Sequence, residues 1–193
     1  MAGRPPIFDE EKVLDRATEL FWSKGYEPTS LDDLLAVMGM GKSSFYHAFG
    51  SKKELFEKIM DRFVNDAIHR LAADLPGHPR PMERIREFFR GIAASPYQLH
   101  RKGCFMGNTL VGLTNIEHDL STRAAKRLER LEGLFRTYIE KAQASGELRT
   151  KEEPAVLALY LLTVWNGLNV TRRVHPDAES LRPLIELQLQ LLK

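Results

Sequence analysis

The segment from Thr29 to Leu55, TSLDDLLAVMGMGKSSFYHAFGSKKEL, has the spacing of two short helices separated by a glycine turn, with a third helix beginning at its end. The first helix carries one apolar face, formed by Leu31, Leu34, Leu35 and Met38. Thr29 or Ser30 is placed to cap its N-terminus, and Gly39 ends it. The segment therefore predicts a helix-turn-helix unit.

The second helix of this unit begins near Lys42 and separates apolar from small polar side chains. Its inward positions are Phe45, Ala48 and Phe49, and its outward positions are Ser43, Ser44 and His47. A helix with small polar side chains on its outer face suits the major groove of DNA. Ser51 to Glu54, S-K-K-E, has the pattern of a capping box and predicts where the next helix begins.

These residues resemble the DNA-binding region of the TetR family of bacterial transcriptional regulators. The positions that match its pattern are Gly25, Tyr26, Thr29, Gly39, Lys42, Tyr46, Phe49, Lys52 and Leu55. Gly41 departs from it, because the family usually has Ser or Thr there, and glycine is a weaker cap by up to a few tenths of a kcal/mol. The resemblance implies an all-α protein with an N-terminal three-helix helix-turn-helix domain and a C-terminal helical ligand-binding and dimerisation domain.

The resemblance also implies which side chains contact double-stranded DNA. They are Thr29, Lys42, Ser43, Ser44, Tyr46, His47 and Lys52. Thr29, Lys42, Tyr46 and Lys52 are expected at phosphates, and Ser43, Ser44 and His47 are expected at base edges. The alternative for Tyr46 is an aromatic residue that covers the rim of the motif, and for His47 a solvated side chain.

The charge of the chain is a weaker indicator of DNA binding than the motif. The 193 residues carry a formal net charge of +2, and residues 1–52 contain six Lys and Arg against eight acids. DNA binding therefore requires that these acids face away from DNA, while Lys42, Lys52, an N-terminal arm with Arg4 and helix N-termini meet the phosphates. With few cations at phosphates, the salt dependence of binding is expected to be shallow.

The remaining sequence predicts further helices and no strand. The first runs over residues 10–24 with Asp9 as its cap, and a connecting helix runs over residues 52–74. Proline and glycine in LPGHPRP, residues 75–81, then break the chain. Later helices are expected over residues 82–95, 103–112, 120–142, 154–170 and 180–192. We expect a DNA-binding domain in residues 1–52 and a ligand-binding and dimerisation domain in residues 53–193.

The last two predicted helices are apolar on most of their surface, which requires apolar partners on two sides. A homodimer supplies the second partner, and the alternative is a monomer in which both helices are internal. The family resemblance implies the homodimer, with two DNA-binding domains that read a palindromic operator in successive major grooves.

A small-molecule effector site is expected in the C-terminal domain. Its candidate residues are Phe63, Phe88, Phe89, Ile92, Cys104, Phe105, Asn108, Phe135 and Tyr138, with Asn166 and Asn169 as further polar candidates. The alternative for the apolar members is ordinary core packing. Gly-Cys segments like the one at Cys104 occur in TetR-like regulators, some of which sense electrophiles or oxidants. Two interpretations of Cys104 stay open: a thiol whose pKa is lowered by His100, Arg101 and Lys102, or a small buried and inert cysteine, which is how a free cysteine usually behaves.

Other function classes find little support in the sequence. A single cysteine, no long apolar run and no apolar N-terminal leader predict a cytoplasmic protein without a membrane span. The six histidines show no zinc-site spacing, and no phosphate loop or nucleophile elbow is present, so we expect no metal, no cofactor and no enzyme activity. The expected function is a ligand-responsive dimeric regulator, most simply a repressor. The alternative is a helical ligand carrier or enzyme that retains the N-terminal domain as a structural cap.

Overall fold

The computed structural model describes residues 8–73 and 80–192, which contain helices and no strand. The helices are α1 (Glu10–Lys24), α2 (Leu31–Met38), α3 (Lys42–Phe49), α4 (Lys52–Ala72), α5 (Pro81–Ala93), α6 (Tyr97–Lys102), α7 (Phe105–Leu113), α8 (His118–Ala144), α9 (Pro154–Val174) and α10 (Ala178–Leu189). The chain divides into two compact units, the head (Met1–Phe63) and the body (Val64–Lys193), so α4 contributes residues to both. The predicted all-α class is confirmed.

The first helix of the head has the predicted bounds. The Asp9 carboxylate accepts a hydrogen bond from Lys12 N at 3.2 Å and caps the N-terminus of α1. Gly25, at φ 90°, ends the helix with its N–H donating to Phe21 O. Its buried residues are Val13, Leu14, Ala17 and Phe21, as the apolar periodicity of the sequence predicts. Leu20 follows the same periodicity but is only half-buried.

The helix-turn-helix also forms as predicted. Ser30 caps α2 in a reciprocal capping box with Asp33, and Gly39 ends α2 in the left-handed conformation at φ 66°. Gly41 precedes α3 without a side-chain cap, in agreement with the weaker start expected from glycine. Ser51 Oγ accepts a hydrogen bond from Glu54 N at 3.1 Å at the start of α4.

The body is built around one apolar core, to which α5, α8, α9 and α10 contribute. Ile85 and Phe89 of α5 and Phe135 and Ile139 of α8 are fully buried there, with Leu161 of α9. Burial of these side chains is the main stabilising term of such a unit, at about 1.5 to 3 kcal/mol for each large apolar side chain.

Several helix predictions in the body need correction. We expected no helix over residues 97–102, where α6 lies; with six residues between Pro96 and Gly103 it is too short to show an apolar period. Residues 150–153, T-K-E-E, have the sequence pattern of a capping box and predict one at the start of α9, but this is wrong, because α9 begins at Pro154 with Glu153 as N-cap and no side-chain cap bond. The last helix begins at Ala178 after the cap Asp177, two residues earlier than predicted, so Pro183 lies beyond its first turn.

Helix α9 is long and apolar enough to meet the length and composition criteria for a membrane span, which core helices of soluble proteins also meet. The predicted chain break at residues 75–81 lies mostly outside the described residues, and α5 begins at its last residue, Pro81.

Candidate DNA interface and effector region

The position of α3 in the head is fixed by its two phenylalanines. Phe45 and Phe49 are buried, and their ring centroids lie 5.8 Å apart. The Phe8 ring packs at 6.1 Å from Phe49. Because these residues hold one side of α3 inside the head, the opposite side faces solvent over two turns.

The solvent-facing side of α3 carries the side chains predicted for DNA contact. Lys42, Ser43 and His47 are exposed, and Ser44 is half-buried. Tyr46 is 47% exposed and meets the Phe45 ring edge-on at 5.6 Å, so both predicted roles, phosphate contact and rim cover, are compatible with its position. The structure thus brings these five residues together on one surface, which we call the α3 face.

Lys52, at the start of α4, is held by aromatic and backbone contacts. Its Nζ atom lies 4.3 Å from the centroid of the Tyr26 ring and donates a hydrogen bond of 3.4 Å to the Glu27 carbonyl. Partial burial lowers the pKa of Lys52, and the Glu27 charge acts in the opposite direction. Tyr26 matches the family pattern, but its role was not predicted from the sequence. In the structure its ring lies against the Lys52 ammonium group and positions that side chain.

Thr29 differs from its expected role. The side chain is fully buried, and its hydroxyl donates a hydrogen bond of 2.6 Å to Gly25 O. The side chain therefore braces the connection between α1 and α2 and is not available to a phosphate. The motif alone does not distinguish a buried threonine whose hydroxyl is hydrogen-bonded to the connection between α1 and α2 from a threonine that contacts DNA.

Several acids of the head are neutralised by ion pairs within the head. Lys24 pairs with Asp33 at 2.5 Å and Arg62 with Asp15 at 2.6 Å, while Lys58 pairs with Glu10. Lys24, together with Ser30, lowers the pKa of the Asp33 carboxyl well below its usual range. Arg62 and Lys58 lie beyond residue 52, so a count limited to residues 1–52 overstates the acidity around α1. The predicted Arg4 arm lies outside the described residues.

In the body, three of the predicted apolar effector residues, Phe88, Phe89 and Phe135, form an aromatic cluster. Phe88 packs against Phe89 and Phe135 at 5.4 and 5.9 Å, and it stacks on Trp165 at 5.1 Å. Phe89, Phe135, Ile92, Phe105 and Tyr138 are buried, and Tyr138 donates its hydroxyl hydrogen to Leu71 O. Phe63 belongs to the head, where its ring meets Trp22 edge-on at 5.1 Å.

Trp165 is the member of the aromatic cluster that sequence analysis did not assign to the effector site. It is half-buried, as is Phe88. Its signal in the sequence was weak, because it lies within the nearly continuous apolar run of α9 and does not stand out from its neighbours.

The polar candidates of the body have different surroundings. Asn108 donates a hydrogen bond of 2.8 Å to Lys102 O and accepts one of 2.6 Å from Arg173 Nη2. Asn169 is buried and donates to Trp165 O at 2.7 Å, while Asn166 is half-buried. Asn108 is thus engaged in joining α7 to α9.

Cys104 is the N-cap residue of α7, and its sulfur accepts a hydrogen bond from Gly107 N at 3.3 Å. Burial raises the pKa of the Cys104 thiol, although the hydrogen bonds of Gly107 and Trp165 and the charge of Arg172 act against that rise. The interpretation in which His100, Arg101 and Lys102 lower this pKa is therefore wrong, and the raised pKa agrees with the buried cysteine. The cation whose charge acts on the thiol is Arg172, on α9, which sequence proximity did not indicate.

The last two helices leave an apolar surface uncovered. On α9 it consists of Val156, Leu159, Val170 and Val174, each 55 to 69% exposed, and on α10 of Leu187, at 62%. Leu191, just after α10, is 65% exposed. We call this surface the α9–α10 face.

Comparison with known proteins agrees with these features. Residues 13–59 match the family described as bacterial regulatory proteins, tetR family, and residues 81–186 match the tetracyclin repressor-like C-terminal domain. The chain is 29% identical over 191 residues to the transcriptional repressor ComR of Escherichia coli K12, covering 98% of this chain and 91% of ComR. It is 31% identical over 173 residues to an uncharacterised HTH-type transcriptional regulator of Lactococcus lactis, covering 83% and 86%.

A solved structure shows the same architecture on DNA. A cysteine mutant of the TetR-family regulator CifR, in complex with 26-base-pair operator DNA, superposes with a TM-score of 0.83 at 28% identity. The match covers 99% of this chain and all of that chain. TetR regulators are dimeric, bind operator DNA and respond to small-molecule effectors. With both of its parts matched, this chain belongs to the TetR family of bacterial transcriptional regulators.

Proposed function

We propose that this protein is a cytoplasmic repressor that binds a palindromic operator as a homodimer and is released by a small-molecule or electrophile signal. The observation that carries the proposal is the α3 face, an exposed polar helix surface anchored from behind by Phe45 and Phe49. An alternative role as a carrier or enzyme gives no reason for such a surface.

We propose distinct roles for the side chains of residues 1–52 that contact DNA. Lys42, Tyr46 and Lys52 bind phosphates, because a cation or a phenol hydroxyl at the edge of the motif reaches the DNA backbone. Ser43, Ser44 and His47 read base edges in the major groove. Thr29 acts indirectly by holding the connection between α1 and α2.

The α9–α10 face supports the homodimer. Val156 and Leu159 are three residues apart on α9 and Val170 and Val174 are four apart, so each pair lies on one side of the helix. With Leu187 from α10 they form the kind of apolar surface that monomeric proteins rarely leave in water. A second copy of the same face covers it by two-fold symmetry. The two recognition helices of such a dimer read half-sites about 34 to 36 Å apart.

We propose that the signal is received in the body. An effector that binds the two states of the dimer with affinities differing by about 1 to 3 kcal/mol weakens operator binding about 5- to 150-fold. An electrophile acts through Cys104 instead. If alkylation of the intact protein leaves operator affinity unchanged, the electrophile route is removed and the non-covalent route remains.

The proposed DNA contact is tested by a pair of double variants. Lys42→Ala with Tyr46→Ala removes two phosphate contacts, and we expect a loss of operator affinity of at least about tenfold, because each charged contact contributes more than 1 kcal/mol. The matched control replaces Lys141 and Tyr97, an exposed lysine and an exposed tyrosine of the body, by alanine. Equal affinities of the two double variants in fluorescence anisotropy contradict the proposed interface.

A further inference from the structure

The strongest unassigned feature is a set of buried polar groups where α6 and the start of α7 meet α9. His100 is 1% exposed, Arg172 6% and Cys104 8%, and Asn169 and Trp165 belong to the same turns of α9 as Arg172. His100 is the buried residue of α6, and α6 packs on α9. We call these five residues the junction cluster.

The junction cluster is held in place by its exposed neighbour Arg173. Its Nη2 atom donates to Lys102 O at 2.5 Å and to Asn108 Oδ1 at 2.6 Å. The Arg173 guanidinium also covers Gly103, because a Cβ atom at residue 103 would lie only 2.7 Å from the Arg173 nitrogens. Gly103 also has a positive φ of +67°. The link between α6 and α7 is therefore fixed against the end of α9, which keeps His100 and Cys104 beside it.

Two side chains of the junction cluster, His100 and Arg172, carry buried nitrogens that have no hydrogen-bond partner within the described residues. Both ring nitrogens of His100 are buried without a partner, and so is Nε of Arg172. The Trp165 N–H interacts with the Cys104 sulfur and acts to lower the pKa of that thiol, so it does not belong to these groups. Buried donors without acceptors are rare in folded proteins, because each one loses its hydrogen bond to water.

Arg172 also lacks a counter-ion among residues 8–73 and 80–192. Its charge interacts with the Cys104 thiol and is opposed by Arg173, and no carboxylate pairs with it. Carboxylates of the body pair with other arginines, as Glu83 does with Arg86, Glu186 with Arg90 and Glu140 with Arg136. A buried guanidinium without an anion is a costly arrangement that a bound anion relieves.

The residues near Arg172 indicate which groups the ligand carries besides its anion. Trp165 stacks on Phe88 at 5.1 Å, and both rings are only half-buried, so an apolar surface borders the unpaired donors. The planar guanidinium matches the two oxygens of a carboxylate. Asn169 Oδ1 is a buried acceptor without a donor within the described residues, and it suits a hydroxyl group on the ligand.

We propose that the junction cluster binds the carboxylate of a small organic acid with an apolar tail, with Arg172 as its ion-pair partner and Phe88 and Trp165 against the tail. This proposal rests on the proposed function, because it makes the acid the effector of the repressor. It differs from the electrophile route, since no covalent bond to Cys104 is formed.

The test measures thermal unfolding of the full chain with acetate, benzoate and salicylate, at matched ionic strength against chloride. We expect benzoate or salicylate to raise the midpoint by about 2 to 4 °C at saturation, because a ligand that binds only the folded state stabilises it. Benzamide, which has the same ring without the charge, and acetate, which has the charge without the tail, are expected to have smaller effects.

Two variants of Arg172 and one control variant locate the binding. Arg172→Gln is expected to abolish the shift and Arg172→Lys to reduce it, whereas Arg182→Gln, at an exposed arginine of α10, keeps it. If Arg172→Gln does not fold, quenching of tryptophan fluorescence in the wild type by salicylate but not benzamide is the deciding measurement. No shift with any aromatic acid, or a shift that persists in folded Arg172→Gln, overturns the proposal.

Operator binding by the same samples separates this inference from the proposed function. Operator binding without any response to aromatic acids contradicts the acid site and leaves the repressor standing. A thermal shift lost in Arg172→Gln, without operator binding, supports the acid site but contradicts the repressor.

Discussion

The Nζ atom of Lys52 lies 4.3 Å from the centroid of the Tyr26 ring. This contact joins the connection after α1 to the first residue of α4, and the Glu27 carbonyl accepts the ammonium hydrogen bond at 3.4 Å. A flexible lysine side chain is thereby restricted before DNA arrives, which reduces the entropy lost when it contacts a phosphate.

Replacement of Tyr26 by leucine is expected to lower operator affinity about two- to fivefold, since an exposed cation–π contact contributes about 0.5 to 1 kcal/mol.

Lys52→Gln is expected to lower affinity and to reduce the slope of log affinity against log salt by about 1. Titrations at several salt concentrations measure both quantities. Lys58→Gln is the control, because Lys58 already pairs with Glu10. An unchanged slope in Lys52→Gln would place this lysine away from the phosphates.

Glu147 caps the N-terminus of α5 from a distant part of the chain. Its two carboxylate oxygens accept hydrogen bonds from Met82 N at 3.0 Å and Glu83 N at 3.2 Å, and Arg80 provides no side-chain cap. Glu147→Gln is expected to lower the free energy of unfolding by about 1 to 2 kcal/mol, measured with urea. Glu140→Gln breaks only an exposed pair with Arg136 and is expected to cost less than about 0.5 kcal/mol. Similar losses for the two variants would rule out the cap.

The Cys104 thiol is expected to react slowly in the folded protein. Burial raises its pKa, so at neutral pH the reactive thiolate is scarcer than in the unfolded chain, where the pKa is about 8.5. The rate of iodoacetamide labelling should therefore be much lower in native protein than in urea. A native rate equal to the denatured rate would contradict the buried, neutral thiol.

The raised pKa of the Cys104 thiol makes the stability of the folded protein depend on pH in the alkaline range. The pKa of the Cys104 thiol is higher in the folded than in the unfolded chain. Its contribution to the free energy of unfolding is therefore complete below about pH 8.5 and is lost as pH rises through the folded pKa. Cys104→Ala is expected to make the loss of stability at alkaline pH smaller, as measured by urea midpoints at neutral and alkaline pH. An equally steep alkaline loss in the variant would show that other groups cause it.

Val170→Glu is expected to convert the dimer to a monomer, because it places a charge within the α9–α10 face. Light scattering after size-exclusion chromatography measures the mass. Val111→Glu is the matched control, since Val111 is 80% exposed on α7 and lies outside this face. A dimer in Val170→Glu, or a monomer in both variants, would place the interface elsewhere.

The elements that local signals define could be predicted from the sequence. Asp9 and Gly25 mark the ends of α1, and the spacing of Phe45 and Phe49 gives the inner side of α3, since caps and apolar periods act over a few residues. Helix α6 escaped prediction because one and a half turns show no period.

The chemical surroundings of the site residues depend on contacts between distant segments and were predicted less well. Three cations beside Cys104 in the sequence suggested a lowered pKa, yet the thiol is buried and its cationic neighbour, Arg172, lies 68 positions away on α9. Thr29 matched the motif but is buried, and the Tyr26 contact to Lys52 joins residues whose pairing no short pattern encodes.

The central claim, that the protein is a dimeric repressor that reads a palindrome, is tested most directly by selection of the purified full chain against random duplex DNA at physiological salt. We predict enrichment of an inverted repeat with half-sites about one helical turn apart, and its loss in the variant that lacks Lys42 and Tyr46. Absence of any enriched sequence, with only weak binding that salt abolishes, would contradict the claim and favour the carrier or enzyme.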